Sequence, residues 1–307
     1  MEYVLEAKGL TKSYGANRVL NGVTMNIQKG DIYGFVGENG SGKTTVIRLI
    51  TGLIYADAGE FKLFGVPSSD AAILDARARI GAIVESPSIY LNMSAKDNLL
   101  MQSGILGIRD EEKCKQTLYT VGLGELWETK KHAGDFSLGM RQRLGIAMAL
   151  LGSPEFIILD EPMNGLDPAG IVEIRELILR LNREAGITFL ISSHILTELA
   201  LVATRYGIIS KGEIIKEISS EELEQVCQHT TLIRTNDNEA LYQLLTGGTE
   251  TPDITLTDSA VRIVGDIHLN SVFANITEAG LTITAVNTYR SSIEDYYLSM
   301  IGGGSHE

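Results

Sequence analysis

The chain is short of positive charge, of cysteine and of long apolar runs, and each shortage closes off a class of function. Its 307 residues carry 26 Lys and Arg against 39 Asp and Glu, a formal charge of −13. Such an excess of acid disfavours nonspecific binding to nucleic acid or to an anionic membrane surface. Only two cysteines are present, Cys114 and Cys227, far apart and without metal-ligand spacing. A disulfide framework or a zinc site therefore has no support, and buried free thiols are the plainer expectation. No stretch comes near the roughly 18 uninterrupted apolar residues of a membrane span, and the start, Met1 to Glu6, has neither the basic flank nor the apolar block of a secretion signal. The expectation is a chain that neither spans a membrane nor is exported.

What is present resembles an ordinary folded protein: 44% hydrophobic and 21% charged residues, near the averages for globular domains. At roughly 150 residues per domain the length suggests about two. The charge is unevenly spread. Residues 1–215 hold 22 basic and 25 acidic side chains, net −3, whereas residues 216–307 hold 4 and 14, net −10. A composition boundary near residue 216 follows.

Before that boundary, the apolar runs Ile32 to Val36, Phe156 to Leu159 and Thr188 to Ile191, each flanked by turn residues and followed by a helix-like stretch, read as buried parallel strands of an α/β sheet. Between the first two lies a stretch expected to be largely helical, about 75–151, in which Ser94 to Asp97 forms a capping box for a helix through Leu99, Leu100 and Met101. It reads as an inserted helical subdomain. Gly207 to Ile215 predicts two short strands around a Lys-Gly turn. Beyond the boundary the order is strand (Thr231 to Arg234), helix (Ala240 to Leu245), strand (Ile254 to Leu256), strand (Val261 to Val264), helix (Val272 to Ala279) and strand (Thr282 to Val286), the β-α-β-β-α-β pattern of ferredoxin-like domains.

Directly after the first strand comes Gly37-Glu38-Asn39-Gly40-Ser41-Gly42-Lys43-Thr44-Thr45, a complete G-x-x-x-x-G-K-[ST] phosphate loop in the strand-loop-helix context that gives it meaning. The glycines let backbone N–H groups close around phosphate oxygens, and the new helix adds its positive end. Lys43 brings a full charge to the terminal phosphates, and the Thr44 hydroxyl suits Mg²⁺. The strand Phe156 to Leu159 delivers Asp160 and Glu161 to its carboxyl end, where ligands sit in such sheets. Asp160 is the candidate for holding Mg²⁺, and Glu161 for orienting or deprotonating an attacking water. An Asp-Glu pair ending a strand is otherwise a common helix start.

With these motifs on one chain the sequence resembles the ATP-binding subunits of ABC transporters, from Met1 to about Ile215. Ser137 and Gly139, in Phe136-Ser137-Leu138-Gly139-Met140, stand where the family signature belongs, with Leu138 and Met140 departing from it; by spacing alone this is a capped helix. Asn164-Gly165-Leu166-Asp167 resembles the D-loop, His194 matches the switch histidine, and Tyr14 matches the aromatic that stacks on adenine. A lone His or Tyr would otherwise be read as structural. Where the family places Gln the chain has Glu85. Glu85 followed by Ser86-Pro87, the signature form Ser-Leu-Gly-Met and the tail Ser292 to Tyr297 are similar to the ATPases of bacitracin-resistance and lantibiotic-immunity exporters. A solvated surface acid remains the alternative for Glu85.

The resemblance implies a nucleotide-binding domain over residues 1–215 and an accessory α+β domain over residues 220–302. It implies ATP and Mg²⁺ as ligands, with the metal held by Thr44 and Asp160 and approached by Glu85, and with Glu161, His194 and Glu85 in the catalytic set. It also implies an ATP sandwich, each nucleotide held between one copy's loop (residues 37–45) and the other's signature with Ser137 and Gly139, and it counts Tyr14 and Asp167 among the nucleotide-binding residues. The expected partners are a second copy and integral membrane permease subunits, not nucleic acid, and the expected location is cytoplasmic, peripheral on the inner face of the membrane. A non-transport ABC ATPase usually carries two modules or a coiled-coil insertion, and a purely regulatory nucleotide binder would lack Glu161 or His194.

Overall fold

The computed structural model describes residues 2–226, 229–246, 253–257, 259–265, 269–290 and 296. Cys227 and most of the tail from Ser292 to Tyr297 lie outside them. The chain divides into two compact units, Met1–Ser220 and Glu221–Glu307.

The first unit opens with β1 (Tyr3–Tyr14), β2 (Asn17–Gln28), β3 (Ile32–Val36), α1 (Lys43–Thr51), β4 (Ala58–Leu63), β5 (Val66–Pro67), α2 (Ile73–Arg77) and β6 (Ile80–Ile83). Three helices follow, α3 (Ala95–Ile105), α4 (Glu111–Thr120) and α5 (Leu138–Leu150). It closes with β7 (Phe156–Asp160), α6 (Pro168–Ala185), β8 (Thr188–Ser193), α7 (Leu196–Leu199), β9 (Arg205–Ser210) and β10 (Glu213–Ser219). Two sheets result: an antiparallel one in the order β2-β1-β4-β5, and a six-stranded one in the order β10-β9-β3-β8-β7-β6. In the larger sheet β9, β3, β8, β7 and β6 run parallel, and β10 folds back against β9. Every residue of β3, β7 and β8 is buried, as strands covered on both faces require. Leu5, Leu20, Met25, Phe35, Ile47 and Phe156 share one core between the sheets and α1. The β9–β10 turn holds Lys211 at φ 48° and Gly212 at φ 80°, the two positive angles that a two-residue hairpin needs.

The stretch expected to be helical from about residue 75 is corrected at its start. After α2 ends at Arg77, Ile80–Ile83 is an edge strand parallel to β7, and the next helix begins at Ala95, where the Ser94 hydroxyl accepts from the Asp97 amide at 3.1 Å. Four residues are too few for periodicity to reveal a strand. Gly81 is needed there because a Cβ would stand 2.7 Å from the carbonyl oxygen of Ala149 in α5.

At the boundary α8 (Ser220–Val226) leads into the second unit: β11 (His229–Thr235), α9 (Asn238–Thr246), β12 (Asp253–Leu256), β13 (Val261–Val264), α10 (Leu269–Glu278) and β14 (Ile283–Arg290). Its sheet is antiparallel in the order β12-β13-β11-β14, the arrangement of a ferredoxin-like β-α-β-β-α-β unit. Ile233, Leu241, Val261, Ile263 and Ile276 form its own core.

Candidate functional site

The loop between β3 and α1 is shaped by close approaches. A Cβ on Gly37 would lie 2.5 Å from both the Ile209 carbonyl oxygen and the Ser41 hydroxyl, and one on Gly42, at φ 112°, would lie 2.6 Å from Cδ2 of Leu20. Glu38, Asn39 and Gly40 form the exposed tip, while Ser41, Lys43 and Thr45 are buried. Helix α1 starts with no acidic residue in its first turn and no side-chain cap on its amides, which leaves that end open to an anion. Lys43 folds back, donating from Nζ to the carbonyl oxygens of Gly37 at 2.6 Å and Glu38 at 3.2 Å.

Two adjacent strands supply the acids. At the end of β7, Oδ2 of Asp160 accepts from the Thr44 hydroxyl at 2.9 Å, and Oδ1 accepts from the Ser192 hydroxyl of β8 at 2.5 Å. Glu161 lies between Lys43 and His194: Oε1 is 3.4 Å from Nζ of Lys43, and Oε2 is 2.8 Å from Nδ1 of His194. Its backbone is at φ 50°, a region that non-glycine residues seldom occupy. The Ser193 carbonyl accepts from the Gly37 amide at 3.3 Å, tying the end of β8 to the loop. Glu198, in α7, has its carboxyl raised above the ordinary range, first by burial; His194 opposes that shift and Glu161 reinforces it.

This arrangement fits a polyphosphate with a divalent cation. The Ser41 hydroxyl is buried without a hydrogen-bond partner, an arrangement that calls for a missing polar group. Thr44 and Asp160 present one hydroxyl and one carboxylate side by side, hard oxygen donors of the kind Mg²⁺ takes while keeping several waters. Among the described residues no cluster of three or more His, Cys, Asp or Glu offers an alternative metal cage.

Other expected residues lie apart from this group. Ser137 caps α5, accepting from the Met140 amide at 3.2 Å, and Asp167 caps α6, accepting from the Gly170 amide at 3.0 Å. The two helix starts are neighbours, since a Cβ on Gly139 would be 3.8 Å from Cα of Gly170. Among the described residues no hydrogen bond or ion pair joins Ser137, Gly139 or Asp167 to the loop, Asp160, Glu161 or His194. Tyr14 ends β1 and is 46% exposed. It lies on the hairpin whose second strand presses Leu20 against Gly42.

Glu85 departs from expectation. It sits at the centre of a three-residue turn, at φ 63°, with the Ser86 amide donating to the Val84 carbonyl at 2.8 Å. Its carboxylate, 59% exposed, pairs with Arg48 rather than reaching Thr44 or Asp160. Arg48 is four residues beyond Thr44 on α1, hence on the same face one turn away, and that spacing was the available signal for a partner. Ser192 was also passed over; its place two residues before His194 was the only hint.

Residues 20–164 match the family model described as ABC transporter, and residues 130–200 match one for an AAA domain. The chain is 39% identical to the bacitracin transport ATP-binding protein BcrA of Bacillus licheniformis, over 99% of both chains. It is 44% identical to the lantibiotic transport ATP-binding protein SrtF of Streptococcus pyogenes, over 75% of this chain and 98% of SrtF. Among solved structures it is similar to the ADP conformation of MJ1267, an ATP-binding cassette of an ABC transporter, with a TM-score of 0.65 at 28% identity over 72% of this chain and 93% of that one.

Proposed function

Because the chain belongs to the ABC transporter family as an ATP-binding protein, we propose that it hydrolyses ATP to power a membrane exporter of bacitracin, a lantibiotic or a related antimicrobial peptide. The observation that carries the hydrolytic reading is the assembly of Lys43, Thr44, Asp160, Glu161 and His194 on one rim of the sheet, joined by contacts of 2.8 to 3.4 Å. The exported class rests on the relatives named for bacitracin and lantibiotic transport.

In this reading the loop amides and Lys43 bind the phosphates, Tyr14 stacks on the base, and Glu161 takes the proton of the attacking water at its carboxylate. The hydrogen bond from His194 fixes that carboxylate. Thr44 and Asp160 would hold Mg²⁺, which would supply charge neutralisation to the bound phosphates. Glu85, paired with Arg48, is assigned to coupling with the helical region rather than to the metal. Ser137, Gly139 and Asp167 complete the site of a second copy, which accounts for their separation from the loop. Separate permease subunits supply the path and hold the chain at the cytoplasmic face; among the described residues no helix is long and apolar enough to cross a membrane. Residues 1–215 form the nucleotide-binding domain, and residues 220–302 form the accessory domain.

The test is coexpression with the candidate permease in a sensitive bacterium, scored against a panel of peptide antibiotics. Resistance that Lys43→Ala abolishes supports the reading. Unchanged susceptibility across the panel, with the complex assembled in the membrane, argues for another substrate.

A further inference from the structure

We propose that Ser192 is a positioning residue of the hydrolytic site, the group that locks the metal-side carboxylate and the catalytic glutamate to each other. The proposal rests on the roles just given to Asp160 and Glu161. Ser192 is fully buried in β8, the strand flanked by β3 and β7, and lies in register with Asp160 on one side and Phe35 on the other. Its hydroxyl serves both neighbours: it accepts from the Glu161 amide at 2.9 Å and donates to Oδ1 of Asp160 at 2.5 Å.

Proton accounting leaves this hydroxyl no freedom. An amide N–H only donates, so Ser192 must accept there, and its single proton must go to Asp160. Asp160, itself buried, is thus held between two hydroxyls on different elements, Ser192 on β8 at one oxygen and Thr44 on α1 at the other. Glu161 needs holding for a second reason. Its φ of 50° is a strained conformation that persists only when its surroundings over-determine it, and the bond from its amide to Ser192 is one such restraint. Lys43 bonds to the Gly37 and Glu38 carbonyls and meets this set at Glu161, as Thr44 does at Asp160, while neither hydrogen-bonds to Ser192. Removing the hydroxyl therefore leaves a buried acceptor and a part-buried donor unpaired in the hydrolytic set and removes no hydrogen bond within the phosphate loop.

Ser192→Ala tests this in the full chain. Loss of an outer-shell partner typically lowers metal affinity or activity by about 10- to 100-fold. The expected result is a fall in kcat, and a rise in the Mg²⁺ concentration for half-maximal turnover, of that size, with KM for ATP within about threefold of wild type. Hydrogen exchange at the Glu161 amide in the nucleotide-free chain should speed up by about tenfold or more, and Ser192→Thr, which restores a hydroxyl, should recover turnover. A Ser192→Ala chain that keeps kcat within about threefold of wild type, or keeps the Glu161 amide as protected as before, overturns the proposal. Where Ser192→Ala does not fold, Ser192→Cys, which keeps the volume with a weak donor, is judged by the same criteria. If the parent chain hydrolyses no ATP, the reading of the site fails, and the exchange measurement still decides whether Ser192 holds Glu161.

Discussion

Gly40 and Gly42 offer a controlled pair for testing the shape of the phosphate loop. Both have positive φ, 82° and 112°, so an alanine at either carries backbone strain of roughly 1 to 3 kcal/mol. They differ in space. A Cβ on Gly40 meets nothing within 4 Å, whereas one on Gly42 lies 2.6 Å from Cδ2 of Leu20 and 3.3 Å from the Val19 carbonyl oxygen. Leu20 is fully buried in the core under the loop, so it cannot swing clear, and overpacking of this kind costs roughly a further 1 to 3 kcal/mol. Gly42→Ala should thus be less stable than Gly40→Ala by about that second amount. Leu20→Ala should cost less stability in the Gly42→Ala chain than in wild type, the coupling expected of two groups in contact. Equilibrium urea unfolding of the first transition, followed by circular dichroism, measures the stability, and titration calorimetry with ATP reports the loop. Equal stabilities for Gly40→Ala and Gly42→Ala, within about 0.5 kcal/mol, would refute the packing of Gly42 against Leu20.

Three further outcomes are expected. Burial raises the Asp31 carboxyl above its ordinary value of 3.8, against the opposing Gln28 amide, Arg205 and Thr204. Wild type therefore has that contribution below the unfolded-state value and loses it as pH rises through the folded one; Asp31→Asn should raise the unfolding midpoint at pH 7, and the gain should vanish near pH 3, while a gain equal at both pH values contradicts the assignment. A chain ending at Ser220, the edge of the first compact unit, should bind ATP with affinity within about threefold of the full chain by calorimetry; a folded truncation that binds none places the boundary wrongly. The exposed Arg48–Glu85 pair is worth only about 0.2 to 1 kcal/mol, so Glu85→Gln and Arg48→Ala should keep ATP binding and most basal hydrolysis yet lower the resistance conferred by the assembled transporter, and unchanged resistance in both would make the pair a mere surface contact.

The readable part of this chain was carried by local signals. Residues 37–45 announce themselves because phosphate binding demands glycines, a lysine and a hydroxyl at fixed spacing. The runs at Ile32 and Phe156 are dense in apolar residues because both faces of their strands are covered. The order of elements beyond Thr231 was legible for a related reason, since the strands there are bounded by turn residues and the two helices are long enough to show their period. What stayed hidden depends on contacts between distant segments. Ile80–Ile83 is too short to declare itself, and only the fold shows it pairing with β7. Arg48 and Glu85 are 37 residues apart, and an arginine one turn beyond Thr44 carries no mark of the acid it meets. Ser192 reads as one polar residue among several until β7 and β8 are laid side by side and its hydroxyl falls between Asp160 and the Glu161 amide.

Glu161 carries the central claim, because the hydrolytic reading assigns it the proton of the attacking water while other groups bind ATP. A general base typically contributes 10² to 10⁴-fold, roughly 3 to 5 kcal/mol of barrier. The direct measurement is steady-state ATP turnover of Glu161→Gln with Mg²⁺, paired with light scattering of the same sample. The account predicts turnover lower by about 10²-fold or more together with an ATP-dependent dimer. Turnover within a fewfold of wild type, or a chain that stays monomeric with ATP and Mg²⁺, contradicts it.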